Sequence, residues 1–135
     1  MTQNLNGSCL CGGITYECEA EPVMQVACHC TDCQKQTGSS YSTIIGVPAD
    51  SLTVHGTTKI FTHNGESGGE VRRNFCGDCG SPVFTEPDQS PGLLWIKTGT
   101  LDNPQAFTPQ MHVWCQSRNV WLDLGDVPAF ATMPH

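Results

Sequence analysis

Seven of the nine cysteines fall into three short motifs, and this clustering constrains the chain more than any other feature. The motifs are Cys9-Leu10-Cys11 followed by two glycines, Cys28-His29-Cys30-Thr31-Asp32-Cys33, and Cys76-Gly77-Asp78-Cys79 followed by Gly80. An odd number of cysteines cannot all pair as disulfides. Nothing at the start of the sequence has the basic and apolar make-up of a signal peptide, so a cytoplasmic, reducing setting is expected. Clustered thiols in such a setting read as metal ligands. The two-residue gap between Cys76 and Cys79 lets a tight turn aim both sulfurs at one ion, with Gly80 free to take a left-handed backbone.

Two wirings compete on spacing. In the first, Cys30 and Cys33 join Cys76 and Cys79 as in a zinc ribbon. The 42 intervening residues, 34–75, exceed the usual gap of roughly 15–20. That wiring leaves Cys9, Cys11 and Cys28 unused. In the second, Cys9, Cys11, Cys76 and Cys79 make a closed tetrathiolate, while Cys28, Cys30 and Cys33 make a site of three thiolates. Closed four-ligand zinc is structural, whereas three protein ligands and an open position mark catalytic zinc. The second wiring is preferred because no motif cysteine is stranded. His29 is a further candidate ligand, but adjacent residues in an extended turn point apart. Asp32 is expected to cap a short helix rather than touch metal.

The rest of the chain reads as short strands. Segments 12–20, 41–47, 58–63, 69–75, 81–86, 93–99 and 111–117 are rich in β-branched and aromatic residues and are bounded by turn formers. Residues 63–70 read as a hairpin loop opened by Asn64-Gly65. Residues 31–38 read as one short helix, capped by Thr31 or Asp32 and stopped by Gly38. The expected fold is mostly β, in antiparallel sheets with metal knuckles at their edges, as one zinc-binding domain over residues 1–135. Cys18 and Cys115, alone inside strand-like runs, are expected in the core. Trp95, Trp114 and Trp121 are expected to fill the core or rim a pocket. His55, His63, His112 and His135 are read as structural or solvated.

Thirteen acidic against six basic residues give a formal charge of −7. That balance argues against nucleic-acid binding, which needs clustered cations. Only Arg72-Arg73 pairs two cations, and a strand sends neighbours to opposite faces. No apolar run reaches the roughly 20 residues of a membrane span.

The blocks GSCLCGGITYE, CHCTDCQKQTGSSY, NFCGDCGSPVF, KTGTLDNP and QMHVWCQSRNVWLDLGDVPAF run in order over nearly the whole chain. With them the sequence resembles the glutathione-dependent formaldehyde-activating enzyme family, also described as the family of centromere protein V. The resemblance implies a β-tent fold of the Mss4-like kind. It implies a structural zinc at Cys9, Cys11, Cys76 and Cys79 and a second zinc at Cys28, Cys30 and Cys33, two ions per chain. The implied activity is that of a carbon–sulfur lyase joining formaldehyde to glutathione as S-hydroxymethylglutathione. In that reading the open position at the second zinc receives a small thiol. Lys35 and Arg72 or Arg73 are the candidates for glutathione's carboxylates. The alternative is a non-catalytic binding or chaperone module of the same fold.

Overall fold

A computed structural model describes residues 5–66 and 68–134. The architecture is a β-tent, a small sheet leaning on a large one. The small sheet has the order β1-β2-β5, from Leu5–Ser8, Thr15–Cys18 and Leu52–His55. The large sheet contains β3 (Met24–Cys28), β4 (Ser42–Pro48), β6 (Lys59–Asn64), β7 (Glu70–Phe75), β8 (Pro82–Pro87), β9 (Leu93–Lys97) and β10 (Met111–Val113). Its order is β10-β3-β4-β9-β8-β7-β6, antiparallel throughout except that β10 runs parallel to β3. The single α-helix among the described residues, α1 (Thr31–Thr37), follows β3 directly. None of the described helices is long and apolar enough to cross a membrane.

The expected strands and helix are present, with three corrections. Strands β1, β3 and β5 lie in segments not read as strands, and residues 98–100 and 115–117 form 3₁₀ turns beyond β9 and β10. The helix stops as expected at Gly38, whose positive φ of 69° lets its N–H donate back to Gln34 O at 2.9 Å. Its cap, however, is Cys30, whose Sγ accepts from Cys33 N, so neither Thr31 nor Asp32 caps it. The hairpin loop after Asn64 is closed by Gly65 N donating to Gly69 O; Ser67 within it lies outside the described residues.

Alternation divides the large sheet into two faces with different tasks. Ile45, Val47, Leu94, Ile96 and Phe84 pack against Leu5, Tyr16 and Cys18 of the small sheet and against Ile14 just before β2. Each fully buried aliphatic there contributes about 2 kcal/mol of transfer energy, and this is the main core. On the other face, Arg73, Thr85, Trp95 and Gly46 stand in one cross-strand row over β7, β8, β9 and β4. Lys97 and Ile44 form the next row. With α1 and the chain after β10, this face makes a cleft rather than a core.

Gly46 is required for the shape of that cleft. A Cβ at this position would sit 2.9 Å from Cζ3 of Trp95, inside contact distance. Gly46→Ala is therefore expected to push Trp95 into the cleft and cost about 1–3 kcal/mol, as overpacking does. A lowered denaturation midpoint with shifted tryptophan emission would show it; an unchanged midpoint and spectrum would refute the packing.

Candidate metal centres

The first cysteine motif occupies the turn between β1 and β2, and the third occupies the turn between β7 and β8. Each knuckle is fastened by its own backbone. Cys9 N donates to Ile14 O, Ile14 N donates to Cys9 Sγ at 3.2 Å, and Cys76 N donates to Ser81 O. Gly80, at φ 79°, completes the second turn by donating to Cys76 O. Ser81 ties the two knuckles together. Its Oγ accepts from Leu10 N at 3.0 Å, leaving its proton for Cys79 Sγ at 3.3 Å. The Ser81 hydroxyl and amide hold the Cys79 thiol down to about 5.

All four sulfurs, of Cys9, Cys11, Cys76 and Cys79, lie within 4.8 Å of one another. The Cys9–Cys11 and Cys11–Cys76 separations are 3.6 and 3.7 Å. Sulfurs about 2.3 Å from a tetrahedral zinc stand about 3.8 Å apart, whereas a disulfide needs about 2.05 Å. All nine cysteines are free, so the donor set fits a metal ion and not a cross-link.

The second cluster forms where β3 passes into α1. Cys28 ends the strand, Cys30 caps the helix, and Cys33 lies one turn in, with its N–H donating to Cys30 Sγ at 3.2 Å. The three sulfurs lie within 4.8 Å of one another and all three residues are buried. The Cys33 thiol is held far below its ordinary value, first by the Cys28 and Cys30 thiols and then, against burial, by the charges of Lys97 and Arg73. Among the described residues no fourth metal-ligating side chain joins the group.

His29 does not supply one. Its ring turns away, stacks on Tyr41 with centroids 5.0 Å apart, and places Nε2 2.9 Å from Nδ1 of His112. Burial lowers both imidazoles below their ordinary values, and a single N–H···N hydrogen bond joins the two rings. This pair braces the loop carrying Cys28 and Cys30 from behind. The other histidines are peripheral to the sulfurs. His55 meets Glu17 on the surface, His63 contacts Arg73, and His135 lies outside the described residues.

The trithiol cluster opens into the cleft, a cavity of about 160 Å³ walled by Met24, Val26, Ile44, Trp95, Val113 and Trp114. Trp95 and Trp114 thus line a pocket as expected, but Trp121 is 71% exposed and does neither expected task. Cys18 is core as expected; Cys115 is only half-buried and opens a 3₁₀ turn. Two buried cations face the cleft. Lys97 is 5% exposed and donates from Nζ to Ser42 Oγ at 2.9 Å; burial pushes its ammonium down and the Cys33 thiolate counters it. Arg73 is 6% exposed and donates from Nε to His63 Nε2 at 2.8 Å. Arg72, on the opposite face, is taken by Glu70, Glu86 and Asp88. Lys35 is exposed on α1 and does not line the cleft. Of the three cations considered from sequence, only Arg73 reaches the cleft, and Lys97 was missed. Its signal was present: residues two apart on a strand share a face, which puts Lys97 beside Trp95 and opposite Ile96.

A solved crystal structure of a Rhodobacter sphaeroides protein is similar at 19% identity with a TM-score of 0.61, covering 92% of this chain and 98% of that one. That likeness speaks for the fold alone. No curated protein matches the sequence. The family model described as glutathione-dependent formaldehyde-activating enzyme matches residues 4–117, a span that carries both cysteine clusters and every strand among the described residues. By that match the chain belongs to the glutathione-dependent formaldehyde-activating enzyme family.

Proposed function

We propose that this protein is a zinc-dependent carbon–sulfur lyase acting on a small thiol–aldehyde adduct, with two zinc ions in one cytoplasmic domain. Cys9, Cys11, Cys76 and Cys79 hold the structural ion and Cys28, Cys30 and Cys33 the second. The observation that carries the reading is a converging set of three sulfurs, without a fourth ligating side chain among the described residues, at the floor of a cleft. Zinc held by three thiolates keeps a fourth position and lowers the pKa of a thiol placed there.

The protein's own groups suit that chemistry. Three thiolates around a divalent ion leave one net negative charge, and the Lys97 ammonium, two strands from Cys28, offsets it. This charge count weakens Lewis-acid activation of an aldehyde and favours capture of a sulfur. The walls of Val26, Ile44, Trp95 and Val113 exclude water from the reacting sulfur. In the synthetic direction a carbon–sulfur bond forms, the aldehyde π bond breaks, and the thiol proton ends on the aldehyde oxygen. Glutathione and formaldehyde, the pair in the family's name, are the first substrates to test.

Protein purified under reducing conditions is expected to hold two zinc ions per chain. After cobalt exchange, its thiolate charge-transfer bands should shift on titration with glutathione. One metal per chain, or a spectrum indifferent to every thiol offered, would refute the catalytic reading and leave the Mss4-like binding module.

A further inference from the structure

Lys97 lines a second cavity as well as the cleft. This cavity measures about 290 Å³ and lies where β4 and β8 begin and β9 ends, at Ser42, Pro82 and Lys97. Thr37 borders it from the end of α1, and Ser81 borders it from the knuckle of Cys76 and Cys79. It therefore sits between the two cysteine clusters, yet no cysteine and no carboxylate lines it.

Its walls carry hydroxyls and one ammonium, and some of their protons already have acceptors. Thr37 Oγ1 donates to Cys33 O at 2.8 Å, and Thr100 Oγ1 donates to Lys97 O at 2.7 Å. The Ser81 proton serves Cys79 Sγ. Other groups keep protons to give. Lys97 Nζ has three, and Ser42 Oγ takes one of them. Ser42, accepting there, has its own proton left for another acceptor. The hydroxyls of Thr43 and Thr98 bond to each other, which uses one of their two protons. Tyr41 stacks its ring on His29, and its hydroxyl makes no hydrogen bond among the described residues.

Donors gathered in a native cavity find acceptors. With no carboxylate in the wall, the ligand that answers this set is rich in acceptors and poor in donors. Charge points the same way. Zinc on three thiolates leaves one net negative charge, and both Lys97 and Arg73 act on Cys33. One positive charge then remains on that pair of cations. Lys97 reaches the second cavity and Arg73 does not. An anion beside Lys97 Nζ would accept charge-assisted hydrogen bonds, which are the strong ones. The volume falls at the small end of ligand pockets, about 300–1,000 Å³, so the anion is compact.

We propose that this cavity binds a small tetrahedral oxyanion of the sulfate or phosphate class, held by Lys97 Nζ and the hydroxyls of Ser42, Tyr41 and the Thr43–Thr98 pair. The site depends on the metal at the three thiolates but not on the lyase reading.

The test is calorimetric titration of the zinc-loaded protein with sodium sulfate, at fixed ionic strength with chloride as the balancing anion. Saturable binding of one sulfate per chain at millimolar or lower concentration is expected, and phosphate should compete for it. Methyl phosphate separates the two sources: binding as tight as that of phosphate assigns a monoester, and its exclusion assigns the free anion. Lys97→Met should abolish saturable binding. Tyr41→Phe, which keeps the ring on His29, should weaken binding about two- to tenfold, the worth of one hydrogen bond. It also serves as the second variant should Lys97→Met fold poorly. An absence of saturable sulfate binding would overturn the site and leave a cavity for ordered water. Sulfate binding unchanged in both variants would place the anion elsewhere and overturn it equally. So would saturable binding of neutral glycerol at similar strength, because hydroxyl complementarity alone would then set the ligand.

Discussion

Replacing Cys76 by serine is expected to unfold the protein. Cys76 is 3% exposed and belongs to the main core, but packing is the smaller part of its contribution. Its turn joins β7 to β8 in the large sheet, while Cys9 and Cys11 sit in the turn joining β1 to β2 in the small sheet. An ion shared by the two turns would staple the sheets together at one end, across the 65-residue separation of Cys11 and Cys76. Structural zinc contributes an apparent 10–16 kcal/mol or so to small metal-dependent folds, against a typical total stability of about 5–15 kcal/mol. Losing one of four thiolates removes most of that, since a serine hydroxyl is a poor zinc ligand at neutral pH. Circular dichroism should show no cooperative melting transition, and zinc content should fall. A strong chelator should do the same to the unaltered protein. A Cys76→Ser protein that melts cooperatively near the original midpoint would show that the tetrathiolate is not structural.

What the sequence made legible was whatever depends on local spacing. The cysteine knuckles are such features, because two sulfurs two residues apart on a glycine-bearing turn converge whatever the rest of the chain does. The helix at 31–37 is another, since Gly38 stops it by backbone conformation alone. Strand β5 carried a legible alternation, with Leu52 and Val54 half-buried between exposed neighbours, and was overlooked. Strand β1 carried almost no signal, because Asn6, Gly7 and Ser8 are turn formers. Gly7 is needed there: a Cβ would fall 2.3 Å from Thr100 O and Tyr16 Oη. The helix cap was misassigned because thiol caps are rare beside threonine and aspartate. The His29–His112 pair had no local signature, as it depends on β10 lying parallel to β3 across 83 residues. Alternation put one arginine of the pair at 72–73 inward and one outward. Which one faces the cleft follows from the register of β7 against β8, which only the folded chain reveals.

Cys30→Ser is expected to behave quite differently from Cys76→Ser. It should abolish binding of the second metal and with it any response of the cobalt spectrum to thiols, yet leave a cooperatively folding protein with one zinc. Serine is itself a favoured helix N-cap, so its hydroxyl can accept the Cys33 N–H that Cys30 Sγ accepts now, and α1 should persist. The main core, with Cys9 and Cys76 of the four-cysteine cluster, lies on the other face of the large sheet and is untouched. The cost should come from electrostatics. With the trithiolate gone, Lys97 remains buried beside an apolar cleft with Ser42 as its hydrogen-bond partner. Lys97→Met would remove that burden. It is therefore expected to destabilise the intact protein but to destabilise the Cys30→Ser background less, or even to stabilise it. The resulting coupling between positions 30 and 97, of order 1–3 kcal/mol in a double-mutant cycle, would measure the compensation between thiolates and ammonium directly. Additive effects would mean that Lys97 does not balance the cluster. A Cys30→Ser protein as completely unfolded as Cys76→Ser would show that the fold depends on both centres and would overturn this division of labour.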